Sequence, residues 1–270
     1  MKKRVPVALI SLCCVLCLII SGCGNSDKEA EGSRPVEVVI PDGKAANYGE
    51  AYQKAEAIRG AIVGLVSDLN SKHNASLEEG DPNNTESLMY SIMLMDMDLA
   101  FTAPFKEDKV AIDSAADALI QFGLKNVKVQ HPKANSYGIT FTGSEGGNIS
   151  FEGVFDPDSG SLRFDKSMDK VAYGFYEFVD LGNDKFAYQT DRERAYVEYK
   201  NKEVVSFEYS TGGNNDAAAD SIYPGGGVDA GWVTTGGASA YAQVYSFKSG
   251  VLKIDATLPS GDRVAVEIRK

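Results

Sequence analysis

The chain has 270 residues, with 38 acidic and 27 basic side chains and a formal net charge of −11 at pH 7. A chain this acidic is repelled by nucleic acid and by anionic lipid surfaces, so both are excluded as partners that bind through charge. Cations, cationic peptides and neutral ligands are compatible with this charge.

The N-terminus has a charged, then apolar, then small-residue pattern. Residues 1–4 carry three cations, residues 5–20 are mostly apolar, and Ser21 and Gly22 precede Cys23. The apolar run is shorter than the roughly twenty residues that a transmembrane helix needs. The pattern is instead typical of a secretory signal.

Residues 20–23, Ile-Ser-Gly-Cys, resemble the lipobox of bacterial lipoproteins. The resemblance implies that residues 1–22 are a signal peptide that is removed, and that Cys23 is the lipid attachment site. It also implies an anchor in a membrane through an N-terminal diacylglyceryl-cysteine, on the extracytoplasmic side, in the bacterial cell envelope. Two acyl chains hold a protein at a bilayer where one is marginal. An uncut signal anchor, or a simple secretory signal with a chance cysteine, is the alternative.

All four cysteines lie in this N-terminal part, at positions 13, 14, 17 and 23. Processing would remove three of them and lipid would occupy Cys23, so the mature chain would contain no disulfide. An exported protein without disulfides depends on its hydrophobic core for stability.

The rest of the chain is predicted to form a tether and one domain. Residues 23–47 are polar, contain two prolines and indicate a tether, with residues 36–40 as a candidate short strand. Residues 48–270 are predicted to form a single α+β domain, with a helical part over 48–123 and a β-rich part over 124–270.

Apolar residues at three- and four-residue spacing predict a helix over about 48–70, with Asn47 as its N-terminal cap. The buried face of this helix contains Tyr52, Ala55, Ile58, Ile62, Leu65, Val66 and Leu69. Residues 88–100 predict a second helix, although residues 95–101 also alternate like a strand. A third helix is predicted from residue 113 or 114 to Gly123, because glycine commonly follows a helix end.

After residue 135 apolar residues recur at every second position, which predicts about ten strands, preceded by one at 124–129. The alternating sets are Tyr137/Ile139/Phe141, Ile149/Phe151, Leu162/Phe164, Phe186/Tyr188, Ala195/Val197/Tyr199, Val205/Phe207/Tyr209, Leu252/Ile254/Ala256/Leu258 and Val264/Val266/Ile268. Residues 171–179 and 240–247 add two more strands. Short turns rich in Gly, Asn, Asp and Pro separate them, which favours an antiparallel meander with one solvent-exposed face.

Ten strands are many for a flat open sheet, so we expect the sheet to curl into a half-barrel or to split in two. The helices need an apolar surface to cover, and the dry face of the sheet supplies it. The predicted fold class is α+β, with N-terminal helices packed on a large, curved, mainly antiparallel β-sheet.

Residues 211–237 form a glycine-rich loop that contains the only tryptophan of the chain, Trp232. Ordered loops of this length are uncommon inside compact domains and are often functional. Tyr223 and Trp232 are the candidate ligand- or partner-binding residues, because aromatic side chains with a polar tip suit recognition surfaces. The alternative is a loop without function, with Trp232 packed against the sheet.

Support for catalysis or metal binding is weak. His73 and His131 stand in polar stretches, which is typical of solvated histidines. Residues 167–170 match a Ser-x-x-Lys pattern but lie between strands and lack a Lys-Thr-Gly partner. Residues 156–160 begin like a calcium loop, but the glycine and glutamate of an EF-hand are missing, so a hairpin turn is predicted. No catalytic residue, metal or cofactor is predicted.

Three functions from different classes stay open. The first is a non-catalytic ligand-binding or carrier module, in which the curled sheet encloses a small apolar ligand, by analogy of fold. The second is an envelope scaffold that binds a protein partner through its acidic surface or the glycine-rich loop. The third is a hydrolase of wall polymer or glycan, which needs two carboxylates about 5–10 Å apart.

Overall fold

The computed structural model describes residues 43–79, 81, 84–85, 88, 120, 124–143, 146–191, 193–211, 221–225, 228, 232–234, 243–257 and 261–270. The predicted signal peptide, the lipid attachment site Cys23 and most of the tether lie outside the described residues. So does nearly all of the second and third predicted helices.

The first described element is helix α1, Tyr48–Asn74. As predicted, Asn47 caps it: the Asn47 side-chain oxygen accepts a hydrogen bond from the Glu50 N–H at 3.0 Å, and the Glu50 carboxylate accepts one from the Ala46 N–H at 2.8 Å. These bonds satisfy donors that a helix start leaves unbonded. The helix continues beyond its predicted end because residues 71–74 contain neither glycine nor proline. Within the described residues, no helix combines the length and apolar character needed to cross a bilayer.

Eleven strands follow, numbered β1 to β11 in chain order. They are β1 Lys125–Lys133, β2 Ser136–Thr142, β3 Asn148–Asp156, β4 Ser161–Met168, β5 Val171–Gly182, β6 Lys185–Thr190, β7 Glu193–Lys200, β8 Glu203–Thr211, β9 Gln243–Lys248, β10 Val251–Thr257 and β11 Arg263–Arg269. Each pairs antiparallel with its neighbours in the chain, so the sheet order is β1 through β11. The predicted large antiparallel sheet is confirmed. It is one continuous sheet, so the alternative of a sheet split in two is wrong, and it is not closed between β1 and β11.

Two-residue turns with left-handed backbone set the register of several hairpins. Asp169-Lys170, Asn183-Asp184, Asn201-Lys202 and Ser249-Gly250 all have positive φ at both positions. Turns of this kind match the natural twist of antiparallel strands. The turn at 156–160 is the predicted hairpin, with the Asp156 carboxylate accepting hydrogen bonds from the N–H and the hydroxyl of Ser159.

The core lies between α1 and one face of the sheet, which we call the inner face. At the start of α1 the Tyr48 ring centre is 4.3 Å from that of Tyr137 on β2 and 5.8 Å from that of Phe164 on β4. The helix also contacts β8 and β11. A 27-residue helix is about 40 Å long, close to the roughly 34 Å of seven strand spacings. One helix therefore reaches across most of the inner face.

Where α1 packs on the sheet, the described side chains leave little free space. Ile62, Val66 and Leu69 of α1 are fully buried. A cavity of about 10 Å³ lies between the middle of α1 and strands β5–β7. Such a volume holds at most a single water molecule.

Two details of the predicted β pattern are wrong. Val205 was expected to share the inner face with Phe207, but a register shift in β8 turns Val205 outward, and Val204 packs on the core instead. A β-bulge of this kind inserts one residue and reverses the facing of those before it. The opposite, outer face is also not solvent-exposed throughout, because strands β5–β7 are buried on both sides.

Candidate binding cleft and the clamped glycine-rich loop

The described parts of the glycine-rich loop lie on the outer face of the sheet. They are residues 221–225, residue 228 and a single 3-10 turn, Trp232–Thr234. Their apolar side chains join three from β5 and β6 in a second, small core. This core contains Val179, Leu181, Ala187, Ile222, Val228 and Trp232. Trp232 therefore packs against the sheet, as the alternative interpretation of the loop expected.

A row of polar side chains crosses the outer face next to this small core. Each member is the directly opposite partner of the next, from β4 to β8. The row consists of Arg163, Glu177, Gln189, Arg194 and Ser210. The Cβ atoms of opposite residues are about 4.5–5.5 Å apart. Glu177, Gln189 and Arg194 are buried, and charged residues are buried only where partners satisfy them.

Glu177 fixes the first described part of the loop. Its Oε1 accepts hydrogen bonds from the Arg163 guanidinium and the Ser221 hydroxyl. Its Oε2 accepts hydrogen bonds from the Ile222 N–H at 3.0 Å and from Gln189 Nε2 at 3.3 Å. The carboxylate is fully buried, and four donors offset the cost of removing its charge from water.

Arg194 and Ser210 fix the second part. The Arg194 guanidinium lies over the Trp232 ring, 4.9 Å from its centre, and the guanidinium also donates to the Trp232 carbonyl at 3.5 Å. The Ser210 hydroxyl donates to the Val233 carbonyl at 3.1 Å. We call Glu177, Arg194 and Ser210 the loop clamp, because together they hold both described parts of the loop on the sheet.

Tyr223 lies over a different part of the outer face. Burial, together with the negative charge of Asp156 at the end of β3, raises the pKa of Tyr223 to about 12. Trp232 instead lies over β7. In the described part of the chain no ring contact joins these two predicted binding residues. The structure brings both to the outer face but does not combine them in one aromatic site.

A cleft of about 710 Å³ opens on the outer face over strands β1–β4. Side chains that point away from the core form its polar lining. Strands β1–β3 contribute Asn126, Lys128, Thr140, Thr142, Asn148 and Ser150. The middle of β3, the end of β4 and the turn after β4 contribute Glu152, Ser167, Asp169 and Lys170. We call this the outer cleft, and its volume is in the range of ordinary ligand sites.

Hydrogen bonds between side chains orient the polar groups of the outer cleft. Asn126 Nδ2 donates to the Thr142 hydroxyl at 3.1 Å, and this hydroxyl donates to Asn148 Oδ1 at 3.4 Å. The Ser150 and Ser167 hydroxyl oxygens are 2.7 Å apart. The Asp169 carboxylate accepts from the backbone N–H of Asn148 at 2.9 Å.

Four other lining residues keep their polar groups available. The side chains of Lys128, Thr140, Glu152 and Lys170 form no hydrogen bond or ion pair with the described residues. A hydroxyl both donates and accepts, an ammonium donates, and a carboxylate accepts. The outer cleft therefore offers donors and acceptors side by side, which suits a polar ligand.

Two catalytic arrangements are not formed by the residues that line the outer cleft. The Ser167 hydroxyl of the Ser-x-x-Lys pattern is bonded to Ser150, and the pattern forms a hairpin turn. Asp169 is held beside Asn148, four residues along β3 from Glu152, which separates the two carboxylates by roughly 13 Å of strand. Glycosidase carboxylates lie about 5–10 Å apart, a spacing that Glu152 and Asp169 do not have, whereas Asp165 of β4 is the directly opposite partner of Glu152. No group of His, Cys, Asp and Glu in the described chain is arranged to hold a metal ion.

Sequence reasoning missed both the loop clamp and the outer cleft. A signal for the clamp was present, because Glu177 stands between Tyr176 and Phe178 in the middle of an apolar strand. The cleft had a weaker signal: the outward positions of β2 and β3 are occupied by Thr140, Thr142 and the other small polar residues named above. The register of the strands decides which outward residues lie opposite each other, and the register is known only from the folded sheet.

Comparisons with known proteins identify no relative: no protein-family model, no curated protein and no solved structure matches this chain. The chemistry of the outer cleft and the clamped loop is therefore the basis for assigning a function.

Proposed function

We propose that this chain is a lipid-anchored binding protein of the bacterial cell envelope, without catalytic activity, and that it holds a polar ligand in the outer cleft. The observation that carries this proposal is the contrast between the two faces of the sheet. The cavity between α1 and strands β5–β7 measures about 10 Å³, whereas the outer cleft measures about 710 Å³.

The filled interior favours an outer site over the carrier interpretation with an enclosed apolar ligand. α1 occupies the inner face with fully buried apolar side chains, Ile62 among them. An apolar ligand of useful size would have to displace such side chains, and each buried aliphatic group stabilises the fold by about 1.5–3 kcal/mol. In this proposal the second and third predicted helices cover more of the same inner face.

The membrane anchor in this proposal rests on the lipobox resemblance at residues 20–23. Lipid on Cys23 would hold the domain beside the bilayer through residues 24–47, where an envelope ligand is met at high local concentration. Intact-mass analysis of the native product tests this part. We expect a chain that starts at Cys23 and carries acyl chains, and a Cys23→Ser variant that stays unprocessed. An unmodified thiol, or a chain that still starts at Met1, would overturn the anchor.

In-cell photo-crosslinking tests the binding part. A photo-reactive benzoylphenylalanine at Thr140, inside the outer cleft, is expected to give a crosslinked adduct with envelope material. The same probe at Ser246, on the outer face of β9 and away from the cleft, is the matched control. Absence of an adduct at position 140, or equal adducts at both positions, would contradict the proposal.

A scaffold that binds a protein partner is the second candidate, and the clamped loop favours it. Tyr223 and Trp232 are half-buried, and the loop clamp binds the backbone of Trp232 and of Ile222, the neighbour of Tyr223. Rigid aromatic side chains lose little entropy when they bind a partner. A photo-crosslinker at Tyr223 that captures one defined protein, with none captured at Thr140, would favour the scaffold over the ligand-binding protein.

A further inference from the structure

We infer that the outer cleft binds a neutral, polyhydroxylated ligand, namely a short stretch of glycan. This inference rests on the proposed function and specifies its ligand class. It follows from the charge, the chemical groups, the orientation and the size of the cleft.

The charge of the outer cleft is balanced. Its two ammonium groups, from Lys128 and Lys170, are matched by two carboxylates, from Glu152 and Asp169. A polyanion needs an excess of cations to compensate its charge, and a polycation needs an excess of carboxylates. Neither excess is present among the described lining residues, so a neutral ligand fits best.

The groups between these charges are hydroxyls and side-chain amides. Thr140, Ser150 and Ser167 lie in one row across β2–β4, as directly opposite partners, with Lys128 at its β1 end. Hydroxyl and amide groups both donate and accept. A sugar hydroxyl has the same dual character, so a row of such groups matches a ligand that carries many hydroxyls.

A peptide ligand is less well served by this surface. Peptides bind to sheets mainly by adding a strand at an open edge or by placing apolar side chains in pockets. The backbone groups of β2 and β3 already pair with strands on both sides, and a strand added at the open edge of β1 would lie beside the outer cleft rather than in it. The aromatic lining residue, Phe141, is almost fully buried in the core, so its ring is not available as an apolar pocket.

The hydrogen bonds within the outer cleft prepare it for binding. The chain from Asn126 through Thr142 to Asn148, and the pair of Ser150 and Ser167, hold their side chains in place before a ligand arrives. Groups that are fixed in advance lose less entropy on binding. The row across β1–β4 is roughly 14 Å wide, which is wide enough for a disaccharide or a trisaccharide.

Saturation-transfer NMR tests the inference on the full chain. The protein is kept in lauryldimethylamine oxide micelles, because this detergent has no sugar headgroup that could compete. The probes are maltotriose, cellotriose and tri-N-acetylchitotriose, with hexaglutamate and hexalysine as charged comparisons. We expect transfer to at least one trisaccharide and none to the charged peptides.

Variants locate the binding. Thr140→Trp fills the outer cleft and is expected to abolish the transfer, and Asn148→Ala is expected to weaken affinity about tenfold. Ser246→Ala, on the same face but outside the cleft, is expected to bind as the parent does. Unchanged thermal midpoints show that the variants are folded, and Thr140 is exposed enough for the larger side chain.

The outcomes separate this inference from the proposed function. The glycan assignment would be overturned if none of the three trisaccharides showed saturation transfer, or if transfer to a trisaccharide persisted in Thr140→Trp. Transfer to a charged peptide that Thr140→Trp abolishes would also overturn it, yet would keep a binding site in the cleft. Loss of the cellular crosslink at position 140 would instead overturn the proposed function itself.

Discussion

The guanidinium of Arg194 lies 4.9 Å from the centre of the Trp232 ring, on the face of the sheet opposite the core. Arg194 is a buried residue of β7, and Trp232 belongs to the glycine-rich loop that follows β8. The sequence analysis selected Trp232 as a candidate binding residue, but it gave no indication that Arg194 would contact it. Because Trp232 is the only tryptophan, tryptophan fluorescence reports on the surroundings of this one ring, which include Arg194.

Replacing Arg194 by methionine should release this part of the loop. The variant keeps an apolar stem but loses the interaction of the cation with the ring, which contributes about 0.5–2 kcal/mol. We expect Trp232 emission to shift to longer wavelength, as its ring becomes more hydrated. Arg269→Met, at an exposed position of β11, is the control and should leave the emission unchanged. Identical emission in both variants would mean that Arg194 does not hold the loop.

Replacing Glu177 by alanine should lower the free energy of unfolding more than any other single substitution on the outer face. The substitution removes an acceptor for four donors and leaves the Arg163 guanidinium with the Asp165 carboxylate as its ion-pair partner. Each buried donor left without an acceptor, such as the Ile222 N–H, costs about 1–3 kcal/mol of stability. Urea denaturation followed by circular dichroism measures the loss. Glu203→Ala, an exposed glutamate of β8, should change the free energy of unfolding by less than about 1 kcal/mol.

The sequence predicted the elements of this fold far better than the contacts between them. Asn47 as the cap and the apolar face of α1 were readable because helical spacing and capping are local properties. The same is true of the strands, since alternation such as that of Ile139 and Phe141 needs only neighbouring residues.

The sites were harder to predict for a physical reason. The loop clamp joins Glu177 to Ser221 and Ile222, and such pairs are set by tertiary packing rather than by local pattern. The bulge that turns Val205 outward also could not be predicted from the sequence, because it depends on how β7 and β8 pair. Tyr223 and Trp232 were chosen for their chemistry, and their role in binding stays a prediction.

The packing of α1 on the sheet gives a prediction for stability. Ile62 is fully buried in the core, so Ile62→Ala should lower the free energy of unfolding by about 2–5 kcal/mol. Val63, its neighbour on the helix, is only partly buried, and Val63→Ala should cost clearly less. Urea denaturation of both variants provides the comparison. Equal losses would show that the helix does not present this face to the sheet.

Buried tyrosines predict how stability depends on alkaline pH. Burial raises the pKa of Tyr137, Tyr209 and Tyr245, and it acts with the Asp156 charge to raise that of Tyr223 to about 12. Unfolded tyrosines ionise near 10.0. The folded state therefore binds more protons between these values, and its stability should be full below pH 10 and fall as the pH rises through 12.

Urea midpoints measured from pH 8 to pH 12 check this dependence, and absorbance at 295 nm follows tyrosinate formation. Tyr223→Phe should remove one ionisation with a pKa of about 12 from the absorbance titration. A urea midpoint that stays constant up to pH 12 would refute the prediction.

Helix α1 touches β11, the strand most distant from it in sequence. The helix therefore cannot complete its packing on the sheet until all eleven strands have been synthesised. Such a chain stays unfolded for longer during synthesis, because α1 is made first and its partner β11 is made last. Such a delay would suit the export that we propose for this chain, because an exported polypeptide crosses the membrane before it folds.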